Sequence, residues 1–291
     1  LRGKNWDYAT LQTQHFDSWQ QWMAMAPGKH LAAITRRLNM RAVRSFYEWR
    51  LRCGLGRNCA EHAQAPRIAR RKPRKYTRPQ LKAMLESCAG HHPQQVRDRA
   101  LILLLLTTGA RREECAELTL DQIELRERSG IVRIMGKGSK EREVAIEGPI
   151  VDALREWLLV RDKTPGNNHR RLFCSVAKGS RGLPSHTSAV ELTVQRAAKA
   201  AGLNEWGVHR FRVTFATMLY DDGVDIERIR ALMGHETIET TRRYLDVSER
   251  HRSVRLSSMR QHELLGTKPI GLPAWASIAA KGRAKPDASP F

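Results

Sequence analysis

The segment MGHETIETTRRY, residues 233–244, joins two short predicted helices through a glycine turn. The first helix begins after Asp225, a favourable N-cap residue. It ends at Gly234, because glycine readily takes the left-handed conformation that closes a helix. His235 follows at the turn, and the second helix carries Tyr244. Either side chain alone would more often be structural than functional, so the segment has to be interpreted together with motifs elsewhere in the chain.

A second motif, HRFR at residues 209–212, opens another predicted helix. At about one hundred degrees per residue, His209 and Arg212 lie within about a sixth of a turn of each other. They border an apolar stripe that includes Phe211 and Phe215, so each can be half-buried and still face a phosphate. In isolation, a partly exposed histidine and arginine without a site is the more common arrangement.

The motif TGARREE, residues 108–114, lies where a predicted buried helix breaks at Gly109 and the next helix begins. Arg111 is therefore expected near a helix N-terminus, where free backbone amides and the helix dipole favour an anion. An exposed arginine in a turn is the alternative, and it is the more common one when the motif is taken alone.

Residues 131–146 change to the alternating periodicity of strands. The apolar stretches 131–134 and 144–146 bracket the turn GKGSK at residues 136–140, which predicts a β-hairpin. Glycines on both sides of Lys137 allow a tight turn and let the lysine project outward. By itself, a basic hairpin tip usually indicates only a solvated turn.

In this order, the motifs TGARREE, GKGSKER, HRFR and MGHETIETTRRY resemble the catalytic domain of the tyrosine recombinases, the phage integrase family. The resemblance covers residues 77–250. Two departures are mild: Met233 stands where leucine is more usual, and Arg112 adds a cation beside the first arginine. The family's catalytic set maps onto six positions, and all six are occupied: Arg111, Lys137, His209, Arg212, His235 and Tyr244.

The resemblance implies site-specific DNA recombination, in which Tyr244 cleaves a strand through a 3′-phosphotyrosine intermediate and the strand is rejoined to a partner. A tyrosine hydroxyl has a pKa near 10, so only about one molecule in a thousand is ionised at pH 7. His209 is a candidate proton acceptor, with a stabilising role as the alternative. The two arginines would clamp the phosphate, His235 would add a donor, and Lys137 would protonate the leaving 5′ oxygen.

The same resemblance implies double-stranded DNA as the partner and a homotetramer on paired DNA sites. Residues 248–265 form a predicted helix that in the family commonly docks on a neighbouring protomer, and packing on its own domain is the alternative. No cofactor or metal is expected. The chain offers no obvious carboxylate cluster, which argues against a two-metal nuclease. No motif identifies the target DNA, or the mobile element or chromosome-resolution system that is served.

The composition agrees with a nucleic-acid partner. The formal net charge is +21, and such a charge would repel itself without a polyanion nearby. An anionic membrane surface is the alternative, but no long basic amphipathic helix is evident to bind one. The longest apolar run is too short to span a bilayer. The five cysteines are scattered without metal-ligand spacing, which predicts reduced thiols in a cytoplasmic protein.

The predicted fold is mainly α-helical with a small antiparallel β-sheet. Residues 1–62 are expected to form a helical core-binding domain, residues 63–76 a basic linker, residues 77–266 an α+β catalytic domain and residues 267–291 a loosely ordered tail. Because the chain begins at Leu1 rather than at methionine, the sequence leaves open whether the first domain is complete at its N-terminus.

Two other interpretations stay open. A catalytically silent DNA-binding or architectural protein could keep the same fold, although the complete set of six residues disfavours it. A type IB topoisomerase uses similar groups, but the compact size and the spacing from the MGH motif to the tyrosine favour a recombinase.

Overall fold

The computed structural model is mainly helical and includes one three-stranded antiparallel sheet, which confirms the predicted fold class. The chain divides into two compact units, residues 1–71 and 72–291. Among the described residues, no helix is both long and apolar enough to cross a membrane. The structure describes residues 11–25, 30–68, 73–136 and 141–245.

The first unit contains helices α1 (Thr13–Met25) and α2 (Ala33–Arg52). Its core is small. Phe16 packs edge-on against Tyr47, with ring centroids 5.5 Å apart, and Met40 is fully buried in the same cluster. Six arginines lie along α2, so a short helix pair carries a dense positive charge.

The second unit contains the remaining helices and the sheet. In chain order its elements are α3 (Arg78–Glu86), α4 (Pro93–Thr108), α5 (Arg112–Glu117), a 3₁₀ turn (Leu120–Gln122), β1 (Ile123–Leu125), β2 (Ser129–Met135), β3 (Glu141–Glu147), α6 (Pro149–Asp162), α7 (Thr187–Ala200), α8 (Val208–Asp221), α9 (Ile226–Met233) and α10 (Ile238–Leu245).

The strands pair in the order β1–β2–β3, and both pairs are antiparallel. In β2 and β3 alternate residues are buried, among them Val132, Ile134, Val144 and Ile146. One face of the sheet therefore packs on the helices. The sequence predicts β2 and β3 but not the three-residue strand β1. The turn between β2 and β3 lies largely outside the described residues, and Lys137 with it.

Helix α4 forms the centre of the main core and lies against α6 and α8. Every residue from 100 to 105 is buried. The helix ends at Gly109, whose φ is +58°. A β-carbon at this position would lie 2.5 Å from Cδ1 of Phe215 on α8. Glycine is therefore required both for the left-handed turn and for the close approach of α8.

A second, smaller hydrophobic cluster holds helices α8, α9 and α10 together. Its buried members are Phe215, Ala216, Leu219, Ile229, Met233 and Leu245. Tyr244 packs against this cluster from a partly buried position. The last helix is thus attached to the unit mainly through α8 and α9.

Several predicted segments are described only in part or not at all. The predicted linker contains no helix or strand in its described parts, residues 63–68 and 73–76. The predicted helix at residues 248–265 and the predicted tail at 267–291 lie outside the described residues.

Replacing Trp157 tests the main core. Trp157 on α6 is fully buried, donates from Nε1 to the carbonyl of Leu172 at 3.0 Å, and stacks on Phe173. We expect Trp157→Ala to lower the free energy of unfolding by about 3–5 kcal/mol, because it leaves a large cavity and an unpaired carbonyl. Urea denaturation measures the change. Leu159→Ala on the same helix is the control, since Leu159 is 64% exposed and should change stability by less than about 1 kcal/mol. Equal effects would contradict the assigned core.

Candidate active site

One cavity of about 390 Å³ collects most of the residues that the sequence predicts for the site. Arg111 lies at the N-cap of α5, and His209 and Arg212 lie in the first turns of α8. Tyr244 on α10 is the fourth predicted residue that lines the cavity. His235 also contacts the ring of Tyr244, and Lys137 lies outside the described residues.

The ring of Tyr244 contacts those of both histidines. Its ring centroid is 5.3 Å from that of His209 and 5.1 Å from that of His235. The next residue, Leu245, is buried in the small hydrophobic cluster and anchors the end of α10. The phenol ring is therefore positioned by packing on both imidazoles and on its own helix.

Arg212 is buried beneath the cavity, with 1% of its surface exposed. Its Nη1 donates to the carbonyl of Gly109 at 2.7 Å, and its Nη2 donates to the carbonyl of Met233. Burial, together with the charge of nearby Arg111, lowers the pKa of Arg212 to about 10. The guanidinium remains charged at neutral pH, and its orientation is fixed by two helix ends.

Arg111 is the more exposed of the two arginines, with 37% of its side chain accessible. Its Nη1 donates to Oε1 of Glu114 at 2.6 Å, and its Nη2 donates to the carbonyl of Gly234 at 3.2 Å. Its backbone amide donates to Oε2 of Glu114 at 2.8 Å. Glu114 thus fixes both the backbone and the side chain of Arg111.

Glu114 also binds a third arginine, Arg142 on β3, through Nη1 at 3.2 Å and Nη2 at 2.5 Å. Burial favours the neutral acid, but hydrogen bonds from Arg142 and from the backbone of Arg111 outweigh it and lower the pKa of Glu114 to about 2. The carboxylate is therefore ionised and shared between two cations.

Both histidines are disfavoured as cations. Burial, followed by the charges of Arg212 and Arg111, lowers the pKa of His235 to about 3. The same causes lower the pKa of His209 from its ordinary value. His235 is 5% exposed, and its Nδ1 lies 3.0 Å from Oγ1 of Thr241. Both rings are neutral at pH 7, so each can offer an acceptor nitrogen and a donor nitrogen.

The turn after α9 is tied to its surroundings by successive carbonyl groups. The carbonyl of Met233 accepts from Arg212, that of Gly234 from Arg111, and that of His235 from Arg230 at 3.0 Å. The two arginines predicted to hold a phosphate therefore also hold the turn that carries His235.

Sequence analysis missed three residues of this arrangement: Glu114, Arg142 and Thr241. A local signal exists for Glu114, because a glutamate three residues after an N-cap commonly reaches back to the N-cap amide. Arg142 shares a strand face with Val144 and Ile146, and a cation on a buried face needs a partner. Thr241 lies one helical turn before Tyr244 on α10. Among the described residues, no group of three His, Cys, Asp or Glu side chains could hold a metal ion.

Comparison with known proteins identifies the family. The model of the phage integrase family matches residues 74–251. The tyrosine recombinase XerC of Corynebacterium glutamicum is 33% identical over 235 residues, covering 79% of this chain and 73% of the relative. XerC of Mycobacterium leprae is 32% identical over 235 residues, covering 79% and 78%. The chain belongs to the phage integrase family and is a site-specific tyrosine recombinase.

Solved structures show the same fold at lower identity. The XerH site-specific recombinase, bound to a palindromic difH substrate in a post-cleavage complex, superposes with a TM-score of 0.69 at 21% identity. The match covers 86% of this chain and 73% of that one.

The neutral state of His235 can be tested through stability. Its folded pKa is about 3, whereas an unfolded histidine has a pKa of about 6.5. Between these values only the unfolded chain binds the proton, so the contribution of His235 to stability is lost as pH falls below about 6.5, by about 1.4 kcal/mol per pH unit. We expect the stability advantage of wild type over His235→Gln to shrink by about 2 kcal/mol from pH 6.5 to pH 5, measured by urea denaturation.

The control is Leu159→Ala, because Leu159 is 64% exposed and its replacement removes no titratable group. Its stability difference from wild type should stay nearly constant over the same pH range. A difference for His235→Gln that does not depend on pH would contradict the neutral, buried state of His235.

Proposed function

We propose that this chain cleaves one strand of double-stranded DNA with Tyr244 and rejoins it to a partner strand at specific sites. One observation supports this proposal above the others: Tyr244, His209 and the two arginines Arg111 and Arg212 line the same cavity. A nucleophile, a neutral base and two fixed cations are the groups that metal-free transfer of a phosphodiester to a protein requires.

In the proposed first step, Oη of Tyr244 forms a bond to the scissile phosphorus while the bond to the 5′ oxygen breaks. Prior ionisation of the phenol would cost about 4 kcal/mol at pH 7. His209, whose ring contacts Tyr244 and whose pKa is lowered, accepts the phenolic proton during attack. Lys137, proposed from the sequence alone, protonates the leaving 5′ oxygen.

Arg111 and Arg212 stabilise the charge that grows on the non-bridging oxygens at the transition state. By analogy with other oxyanion donors, each contributes roughly 3–4 kcal/mol. Their orientations are fixed before the substrate arrives, by Glu114 and Gly234 for the first and by backbone carbonyls for the second. His235 adds a neutral donor at the edge of the site.

The product of this step is a 3′-phosphotyrosine and a free 5′-hydroxyl. Attack by a 5′-hydroxyl from the partner strand reverses the chemistry, returns the proton to Tyr244 and reseals the DNA without an external energy source. Exchange between two duplexes requires several protomers, and we propose a homotetramer in which residues 248–265 contact a neighbouring protomer.

We propose a core-binding domain at residues 1–62, a basic linker at 63–76 that its charge holds near DNA, the catalytic domain at 77–266 and a loosely ordered tail at 267–291. The positive charge is densest in the first part of the chain, where α2 alone carries six arginines. Phosphate contacts from such a helix position a protein on DNA without reading its sequence. The XerH neighbour was solved with its palindromic difH substrate, and the Tn1549 transposon integrase with transposon right end DNA. Both complexes support DNA as the partner. We also propose that the protein acts in the cytoplasm.

A catalytically silent DNA-binding protein of the same fold is the second candidate. It shares the positive charge and the fold but does not need a neutral histidine against the tyrosine. Formation of a covalent protein–DNA adduct distinguishes the two candidates.

The decisive probe is a pool of duplexes with randomised arms and a nick near the centre of one strand. Cleavage beside the nick releases a short fragment, so the chain stays attached to the DNA and can be isolated under denaturing conditions and its DNA sequenced. We expect the wild-type chain to be trapped on a subset of sequences. A wild-type chain that binds the pool without forming any adduct would favour the silent candidate.

Tyr244→Phe removes the nucleophilic oxygen and keeps the ring that contacts both histidines. We expect no adduct from this variant, with DNA affinity within about threefold of wild type, because phosphate contacts dominate binding. Fluorescence anisotropy measures the affinity. Tyr220→Phe, another partly buried tyrosine of the same hydrophobic cluster, should keep the adduct. An adduct from Tyr244→Phe would refute the assignment of the nucleophile.

Replacing the two arginines should have similar effects on cleavage but different effects on the free energy of unfolding. We expect Arg111→Ala and Arg212→Ala each to slow adduct formation by roughly 100- to 1,000-fold. Only Arg212→Ala should also lower the free energy of unfolding, by roughly 2–4 kcal/mol, since it leaves two buried carbonyls unpaired. Single-turnover cleavage and urea denaturation report the two quantities. Near-normal cleavage by either variant would remove that arginine from the site.

A further inference from the structure

Arg142 is a buried cation that the proposed reaction does not use directly. It lies in β3 opposite Ile134 and on the inward side of the strand, with Val144 and Ile146. Only 8% of its side chain is exposed. Burying a guanidinium is unfavourable unless it is paired, so its position must be maintained by its contacts.

Those contacts join β3 to the site. Both terminal nitrogens of Arg142 donate to the carboxylate of Glu114, whereas its buried Nε has no hydrogen-bond partner among the residues that the structure describes. The guanidinium also lies against the turn after α9, because a β-carbon on Gly234 would be 3.3 Å from Nη1 of Arg142. Arg142 is not among the described residues that line the cavity, so we expect it to influence a phosphate bound there through its charge and its neighbours rather than by contact.

The charges of Arg111, Glu114 and Arg142 indicate how Arg142 can influence the site. Glu114 is a single carboxylate held between Arg111 and Arg142. Without Arg142, Glu114 and Arg111 would form a nearly neutral pair, and the attraction of Arg111 for a phosphate would weaken. With Arg142 present, the three groups carry a net positive charge, and Arg111 is the most exposed of them.

We propose that Arg142 is a positioning residue for strand cleavage: it holds Glu114 and offsets its charge, so that Arg111 presents an uncompensated cation to the scissile phosphate. This role rests on the proposed function. It acts through the chain of contacts from Arg142 to Glu114 to Arg111, and it requires no contact between Arg142 and DNA.

The test compares Arg142→Gln with wild type on the duplex that the wild-type chain selects from the nicked pool. We expect single-turnover adduct formation to slow by roughly 10- to 100-fold, less than the loss of Arg111 itself, with DNA affinity changed by less than about threefold. The matched control is Arg133→Gln, because Arg133 lies on the neighbouring strand but pairs with Glu143 and Glu124. It should cleave at the wild-type rate.

A second substrate separates the electrostatic role from a general loss of structure. A methylphosphonate at the scissile position is neutral, since a methyl group replaces one non-bridging oxygen. The ratio of the two cleavage rates within one preparation does not depend on its active fraction. We expect the defect of Arg142→Gln to fall to less than about threefold on the methylphosphonate, because a neutral centre depends less on the charge of Arg111.

The results that would overturn the proposal are distinct from failure of the proposed function. A wild-type chain that never forms an adduct would refute the function itself. If wild type cleaves, then a normal rate for Arg142→Gln, or an equal loss on both substrates, would refute the role of Arg142. If wild type cannot cleave the methylphosphonate, the deciding test is Arg142→Lys on the ordinary phosphate, because lysine restores the positive charge. We expect its cleavage rate to be at least tenfold higher than that of Arg142→Gln, or close to the wild-type rate. A rate no higher than that of Arg142→Gln would refute the role.

Discussion

The guanidinium of Arg212 lies between the end of α4 and the end of α9, where it donates to the carbonyls of Gly109 and Met233. A buried charge is tolerated only when its hydrogen-bonding groups are satisfied, and unfinished helix ends supply the required carbonyls. The same contacts set the distance between the motif that carries Arg111 and the turn that carries His235. The site therefore depends on Arg212, a buried cation that holds two helix ends together and also lines the cavity.

Charge balance is the second constraint on this site. Arg111, Arg142 and Arg212 surround one ionised carboxylate, Glu114, and the two histidines are neutral. These ionised groups of the site therefore carry a net positive charge. A phosphate diester carries one negative charge, and the proposed transition state carries more. The positive charge of the site therefore complements the transition state better than the substrate. Burial is the main cause of the lowered pKa of each histidine, and the same excess of positive charge lowers it further.

The sequence predicts the fold class and the residues whose roles have local signals. Gly109 and Gly234 end helices, and the histidine–arginine pair opens α8, so their elements follow from capping and periodicity alone. Arg142 and Thr241 were missed because their importance arises from contacts through space. Glu114 has a local capping signal, but that signal does not reveal its pairing with Arg142. Arg142 meets Glu114 across 28 residues of chain, and no periodicity in either segment indicates that meeting. Strand β1 was missed because three residues are too short to establish an alternating pattern.

Tyr244 lies near the end of an eight-residue helix whose hydrophobic contacts belong to the small cluster of α8, α9 and α10 rather than to the main core around α4. Short helices with few buried contacts open at a lower free energy than the domain as a whole. Local opening of α10 would therefore displace Tyr244 while the main core, which contains the neighbours Ala110 of Arg111 and Phe211 of Arg212, stays folded. The tyrosine and the two arginines that line one cavity are thus supported by hydrophobic clusters of unequal size.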